Sequence, residues 1–249
     1  MRRSDLCLED LGGLRGTYLP VPADWRQFRL AGIATAASCV VMLVALAGRA
    51  YPLALIAAAF ALLVGGRLAW AAGRLRVLAG RNRGSRLELY ERGFVVVFGG
   101  RVRTFRYGAA TVREQAARRS YVCSGDAGDP VILRRGFERQ HVWGAEIRRG
   151  VARAQVPRAL AALNAGQRLE FGEIWVTARD IGVGGERAAW ADVTEFTVRS
   201  ALLIVRVRDR ARPLIAEAVA EVPNMCVLQL LSEHLRQLGR VRITQVTSG

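Results

Sequence analysis

Two stretches decide how this 249-residue chain is read: Tyr90–Tyr107, YERGFVVVFGGRVRTFRY, and Thr177–Trp190, TARDIGVGGERAAW. Each opens on an x-Arg-[Gly/Asp]-[Phe/Ile] step, runs through a Gly-Gly turn signal and closes on an aromatic, Tyr107 or Trp190. Glycine pairs between β-prone runs mark hairpins, because only glycine adopts positive φ without a steric cost. The first stretch therefore predicts strands at Gly93–Phe98 and Arg101–Arg106, and the second at Ile181–Val183 and Arg187–Trp190. The agreement in element order predicts two similar units.

Working outward, Arg86–Tyr90 is a further strand, Thr111–Cys123 a longer and more polar one, and Ser124–Pro130 a turn before Val131–Leu133. Trp143, Ile147, Val151 and Ala154 then recur at helical spacing; Pro157 kinks or restarts that helix, which continues through Leu160 and Leu163 to Asn164. The second unit repeats the plan. Strands are expected at Leu169–Phe171, Ile174–Ala178, Val193–Arg199, Ala201–Arg208 and Pro213–Ala216. Asn224 is the N-cap of a last helix whose Leu228, Leu231, Leu235 and Leu238 form one stripe, with Gly239 at its end. Several strands followed by one amphipathic helix describe a pleckstrin-homology-like barrel or half-barrel, here in tandem.

The most apolar part of the chain precedes these units. Arg29 and Arg49 bracket nineteen uncharged residues, LAGIATAASCVVMLVALAG, and AYPLALIAAAFALLVGG follows before Arg67. A hydrocarbon layer about 30 Å thick needs about 20 helical residues, so each stretch predicts one crossing, joined at Gly48–Pro52. A buried soluble helix pair and a cleaved leader ending near Ala45-Leu46-Ala47 are the competing readings; the missing charged face and an acid-bearing leader count against them. All 37 basic residues are arginine, against 21 acids, for a net charge of +16. Up to Leu87, twelve arginines face four acids, and only Arg49 lies in the connecting turn. The positive-inside rule then predicts a two-pass protein of the cytoplasmic membrane with both termini cytoplasmic.

The expected class is thus an α+β membrane protein. Its cytoplasmic N-terminal segment covers residues 1–29, a two-helix transmembrane hairpin 30–73, and pleckstrin-homology-like units 84–165 and 166–249, each closed by its C-terminal helix. The chain also resembles an uncharacterised bacterial family of high-GC genomes, a domain of unknown function. The matching stretches are LGGLRGTY (Leu11–Tyr18), RLELYERGFV (Arg86–Val95), PRALAALNAGQRLEFG (Pro157–Gly172), Trp-x-Asp-Val (Trp190–Val193) and VPNMCVLQLL (Val222–Leu231). That resemblance implies a membrane-anchored, pleckstrin-homology-like organisation and carries no catalytic residue across.

Catalytic and metal motifs are absent from the sequence. His141 and His234 have no partner at ligand spacing, and Cys7, Cys39, Cys123 and Cys226 are scattered thiols. Gly182–Gly185 fails the dinucleotide pattern and reads as a turn; Asp126 and Asp129 lack an EF-hand spacing. The total absence of lysine excludes P-loop and Schiff-base chemistry. No cofactor, no metal and no catalytic residue is expected. Candidate binding residues are all arginines. Arg67, Arg74, Arg76, Arg81, Arg83 and Arg86, with Arg101 and Arg103, are expected to lean on anionic headgroups or to fix topology. Arg206, Arg208, Arg210 and Arg212 form a candidate ligand face on one strand. Nucleic acid is not expected, since no recognition motif accompanies the charge.

The functional expectation is a non-enzymatic scaffold or adaptor, anchored in the bilayer, that binds a protein partner or anionic lipid headgroups. A second copy of the chain is a further candidate partner. The alternatives are an accessory subunit of a transporter or envelope enzyme complex, and, more distantly, an enzyme acting at the membrane.

Overall fold

The computed structural model describes residues 10–21, 25–49, 51–82, 84–115, 120–125, 130–133 and 137–247; side chains at 25–31, 53, 54, 71, 72, 74–82 and 240–247 lie outside that description. The chain divides into two compact units. One comprises Met1–Leu19, Arg86–Val97 and Arg101–Gly249; the other comprises Pro20–Ser85 with Phe98–Gly100.

The larger unit repeats one plan. A four-stranded antiparallel sheet has the order β1 (Leu14–Tyr18), β2 (Arg86–Tyr90), β3 (Gly93–Phe98) and β4 (Arg101–Arg106). A three-stranded sheet follows, β5 (Thr111–Gln115), β6 (Ser120–Ser124) and β7 (Val131–Leu133), and then the helix Gln140–Asn164. The second half lays down β8 (Leu169–Phe171), β9 (Ile174–Val176), β10 (Asp180–Val183) and β11 (Glu186–Ala189) as four strands. Next come β12 (Val193–Arg199), β13 (Leu202–Val207) and β14 (Ile215–Ala218) as three, and a closing helix Met225–Thr247.

The tandem stretches share a backbone hydrogen bond as well as their element order. The Tyr107 amide donates to the Arg92 carbonyl at 2.9 Å, and the Trp190 amide to the Arg179 carbonyl at 3.0 Å. Each closing helix also brings a glycine close to this region, Gly150 against the Tyr107 ring and Gly239 against the Trp190–Ala191 backbone. A Cβ on Gly150 would meet the Tyr107 ring at 2.4 Å, and one on Gly239 would meet the Ala191 amide nitrogen at 3.1 Å. Gly239 is therefore a place of close approach inside its helix, which runs on to Thr247, and does not end it. The expected polar strand Thr111–Cys123 is two strands, paired from Thr111 with Ser124 to Gln115 with Ser120. Pro157 sits inside one continuous helix.

One core runs through both halves. Phe94 stacks on Phe105 at 4.8 Å between centroids, and Tyr121 meets Trp143 edge-on at 5.4 Å. Trp143, Ile147 and Val151 are fully buried one helical turn apart. At about 25 cal/mol per Å² of apolar surface, such large side chains each stabilise the fold by roughly 1.5–3 kcal/mol. Asn224 ties the halves together. Its Oδ1 accepts from the Val112 amide at 2.7 Å, and its Nδ2 donates to the Ala110 carbonyl and to Gln155 Oε1. Gln155 in turn donates to the Tyr107 and Ala110 carbonyls at 2.8 Å. The Asn224 side chain thus reaches across to the first half, while its carbonyl accepts from Val227 and Leu228.

The smaller unit is a helical hairpin, α1 (Trp25–Ala47) and α2 (Tyr51–Asn82), inserted in the chain between β1 and β2; the helices Gln140–Asn164 and Met225–Thr247 are α3 and α4. Its turn follows Gly48, with Arg49 in the left-handed region at φ 58°. Among the described residues, no helix is long and apolar enough to cross a membrane. This overturns the transmembrane hairpin expected at 30–73, and with it the membrane class and the two-pass, both-termini-inside placement. Counting uncharged length alone misread the run. Ten of the nineteen residues from Leu30 to Gly48 are Ala, Gly, Ser or Thr, which favour lipid little or not at all, and α2 continues through Arg67, Arg74, Arg76 and Arg81.

The stretch Leu11–Tyr18 proves to be structural. It carries β1, which pairs with β2 from Leu14 with Tyr90 to Tyr18 with Leu87, with an irregularity between Leu14 and Gly16. The four-stranded sheet of the first half therefore draws its first strand from before the helical hairpin.

Candidate functional site: an arginine-lined cleft on the first half

The flank of α3 next to its core stripe borders a cleft of about 920 Å³. Val142, Glu146, Gly150 and Arg153 fall on that flank at steps of three to four residues, and Arg158 lines the cleft further along the helix. β1 supplies Arg15 and Tyr18 to the opposite wall, the β2–β3 turn Glu91 and Arg92, and the end of β4 Arg106 and Tyr107. Gly93, the first residue of β3, lets β4 approach closely, because a Cβ there would lie 2.2 Å from the Phe105 carbonyl oxygen.

Five arginines line the cleft, with three acids, Asp10, Glu91 and Glu146. Pairing leaves an excess of cations. Arg106 bonds Asp10 at 2.6 Å, Arg15 approaches Glu91 at 4.0 Å, and Glu146 is engaged by Arg149 at 2.6 Å. Arg92, Arg153 and Arg158 have no ion pair among the described residues. Tyr107 lies among them, its ring seated on Gly150. Burial, and next the Glu146 carboxylate, raise its phenol above the ordinary tyrosine value; Arg15 acts in the opposite sense. Tyr107 is buried beside the cleft. Three guanidinium forks with no ion pair among the described residues suit carboxylate or other oxyanion groups, which arginine engages in two parallel hydrogen bonds.

A second cleft, of about 570 Å³, lies where the halves meet. It is lined by Arg113 of β5, Ala159 and Ala162 of α3, Leu169 and Phe171 of β8, and Val227 of α4. Gly108 and Arg158 line both clefts.

The sequence-predicted arginines do not gather at either cleft. Arg67 is exposed on α2; Arg74, Arg76 and Arg81 lie on the same helix with side chains outside the described ones, and Arg83 lies outside the described residues. Arg86 pairs with Glu88 at 2.6 Å. Arg101 and Arg103 lie on β4. Of the proposed ligand face, only Arg206 is on a strand, where Glu195 engages it at 3.4 Å; Arg208, Arg210 and Arg212 follow in a turn with Asp209 at φ 58°, and Arg210 pairs with Glu186 at 2.8 Å. The alternation ends where the strand ends.

Among the described residues, no cluster of His, Cys, Asp and Glu could hold a metal ion. His141 and His234 are exposed, and Asp126, Asp129 and Cys7 lie outside the described residues. Gly182 has a packing role, since a Cβ there would meet the Trp175 ring at 2.4 Å. Arg168 covers that ring at 4.4 Å, and the indole N–H points to the Gly184 carbonyl at 3.3 Å.

The model of a family of unknown function, DUF6585, matches residues 5–240. The chain belongs to that family. No curated protein and no solved structure matches it. The match to DUF6585 covers every element that borders the two clefts, from β1 to the start of α4. The cleft residues of this DUF6585 member were legible only in part. The polar positions of α3 sit at readable helical spacing, but Arg15 and Tyr18 become visible only once Leu14–Tyr18 is read as a strand. The helical hairpin between β1 and β2 hides that pairing.

Proposed function

We propose that this DUF6585 protein is a non-enzymatic adaptor whose first cleft binds an acidic segment of a protein partner. The observation that carries this reading is the trio Arg92, Arg153 and Arg158, which share one cleft and lack ion pairs among the described residues. Unpaired cations desolvated by a ligand gain more from a counter-charge than cations already engaged by a neighbouring acid. A protein segment fits better than a continuous anionic surface such as a duplex. Asp10, Glu91 and Glu146 stand among the arginines, and discrete acids of a peptide can settle between them where a sheet of phosphates meets repulsion.

Fluorescence anisotropy of labelled tetraglutamate titrated with the full chain tests the reading. Binding is expected to weaken about tenfold in Arg153→Ala and in Arg158→Ala, and to fall with added salt because the cations are exposed. Arg212→Ala, remote from the cleft lining, is expected to bind as the parent does. Equal binding by all four proteins removes the cleft as the site.

A further inference from the structure

We infer that the two clefts form one continuous groove, and that the partner is an extended acidic segment of about nine residues that reaches both halves of the repeat; this rests on the adaptor reading above. Gly108 and Arg158 belong to the lining of both clefts. A Cβ on Gly108 would stand 2.9 Å from Arg158 Nη1, so the guanidinium lies directly over the backbone at the junction. The absence of a side chain at 108 makes room for that guanidinium, so Arg158 is a cation that a bound chain meets from either cleft.

The second cleft differs in chemistry from the first. Leu169, Phe171 and Val227 give it apolar walls, and Arg113 has no ion pair among the described residues. Glu170, its acid, approaches Arg168 at 3.6 Å. The first cleft thus offers guanidiniums at Arg92 and Arg153 and shares the one at Arg158, and the second offers an apolar strip together with Arg113. A segment with acids at one end, and an apolar pair beside an acid at the other, matches those two linings.

The length follows from α3, which walls both clefts from Val142 to Ala162. Twenty residues at 1.5 Å rise make about 30 Å. An extended peptide at about 3.3–3.6 Å per residue covers that distance with about nine residues, whereas four residues reach only about 13 Å. The second half of the repeat therefore adds length and specificity to a site whose charge sits on the first.

Two labelled peptides titrated into the full chain at about 0.1 M salt test this. One is tetraglutamate; the other is a decapeptide that opens with four glutamates, carries two leucines towards its other end and finishes with glutamate. The decapeptide is expected to bind at least about tenfold tighter. Arg113→Ala should weaken the decapeptide about fivefold and leave tetraglutamate unchanged, while Arg158→Ala weakens both. If the decapeptide gains no affinity, or if Arg113→Ala leaves it unmoved, the continuous groove is wrong and the first cleft stands alone. If neither peptide binds, or if the chain instead sediments with phosphatidylserine vesicles from which the decapeptide cannot displace it, both the groove and the adaptor reading fall.

Discussion

At the scale of single residues, the first half is organised by glycines and amides whose neighbours admit no substitute. Gly150→Ala gains about 1 kcal/mol of helix propensity, yet the new Cβ would meet the buried Tyr107 ring at 2.4 Å. Overpacking of this kind costs typically about 1–3 kcal/mol, so denaturant titration should show a net loss of stability; a gain would mean the ring moves aside freely. Asn224→Ala should cost about 1–3 kcal/mol, because the Val112 amide and the Gln155 side chain lose partners in a half-buried junction. An unchanged midpoint would dismiss the clasp. Burial pushes the Cys123 thiol up to about 12 from its ordinary 9.0. The folded thiol keeps its proton where the unfolded one ionises, so its contribution to stability is whole below pH 9.0 and is lost as pH rises towards about 12. Stability should therefore fall less steeply above pH about 9 in Cys123→Ala than in the parent, and parallel slopes would contradict the assignment.

At the scale of elements, legibility followed local pattern. Arg86–Tyr90, Gly93–Phe98, Arg101–Arg106 and Val193–Arg199 are strands with the expected bounds, because alternation and glycine turns are written within a few residues. The break of Thr111–Cys123 into two strands is not visible locally, since the residues 116–119 between them include neither glycine nor proline. β1 is hidden for another reason: its partner lies beyond the whole helical hairpin, and pairing at that separation leaves no local trace. The hairpin is helical as expected but, among the described residues, not apolar enough to cross a membrane, because Ala, Gly, Ser and Thr dilute the apolar weight of its uncharged length. Tyr18 and Leu87 are paired, so the insertion can be excised. Replacing residues 20–85 by a four-residue turn should leave a unit that still unfolds cooperatively in denaturant. Its solubility should rise, since Ile33, Val44, Leu55, Leu62 and Leu63 are exposed on the hairpin. Loss of cooperative unfolding would show that the hairpin is needed to form the first sheet.

At the scale of the molecule, the cleft explains why the charge had to be read in three dimensions. The chain has 37 basic residues, all arginine, and runs such as Arg206 to Arg212 draw attention because they are contiguous. Two of those four are neutralised by Glu195 and Glu186. Arg92 is some sixty residues from Arg153 and Arg158 and the three carry no motif, yet α3 and the β2–β3 turn bring them to one cleft. Pairing state, which decides whether a guanidinium is available to a ligand, is not written in the order of the residues. The repeat was legible from Tyr90–Tyr107 and Thr177–Trp190; the site was not, because it depends on which acids the fold brings near which arginines.

The most direct test follows the arginine Nε–Hε resonances of the full chain by NMR while tetraglutamate is added. Shifts are expected at Arg92, Arg153 and Arg158, with Arg206, Arg208, Arg210 and Arg212 unmoved. Shifts confined to Arg206–Arg212, or spread evenly over the surface arginines, would contradict a binding cleft on the first half.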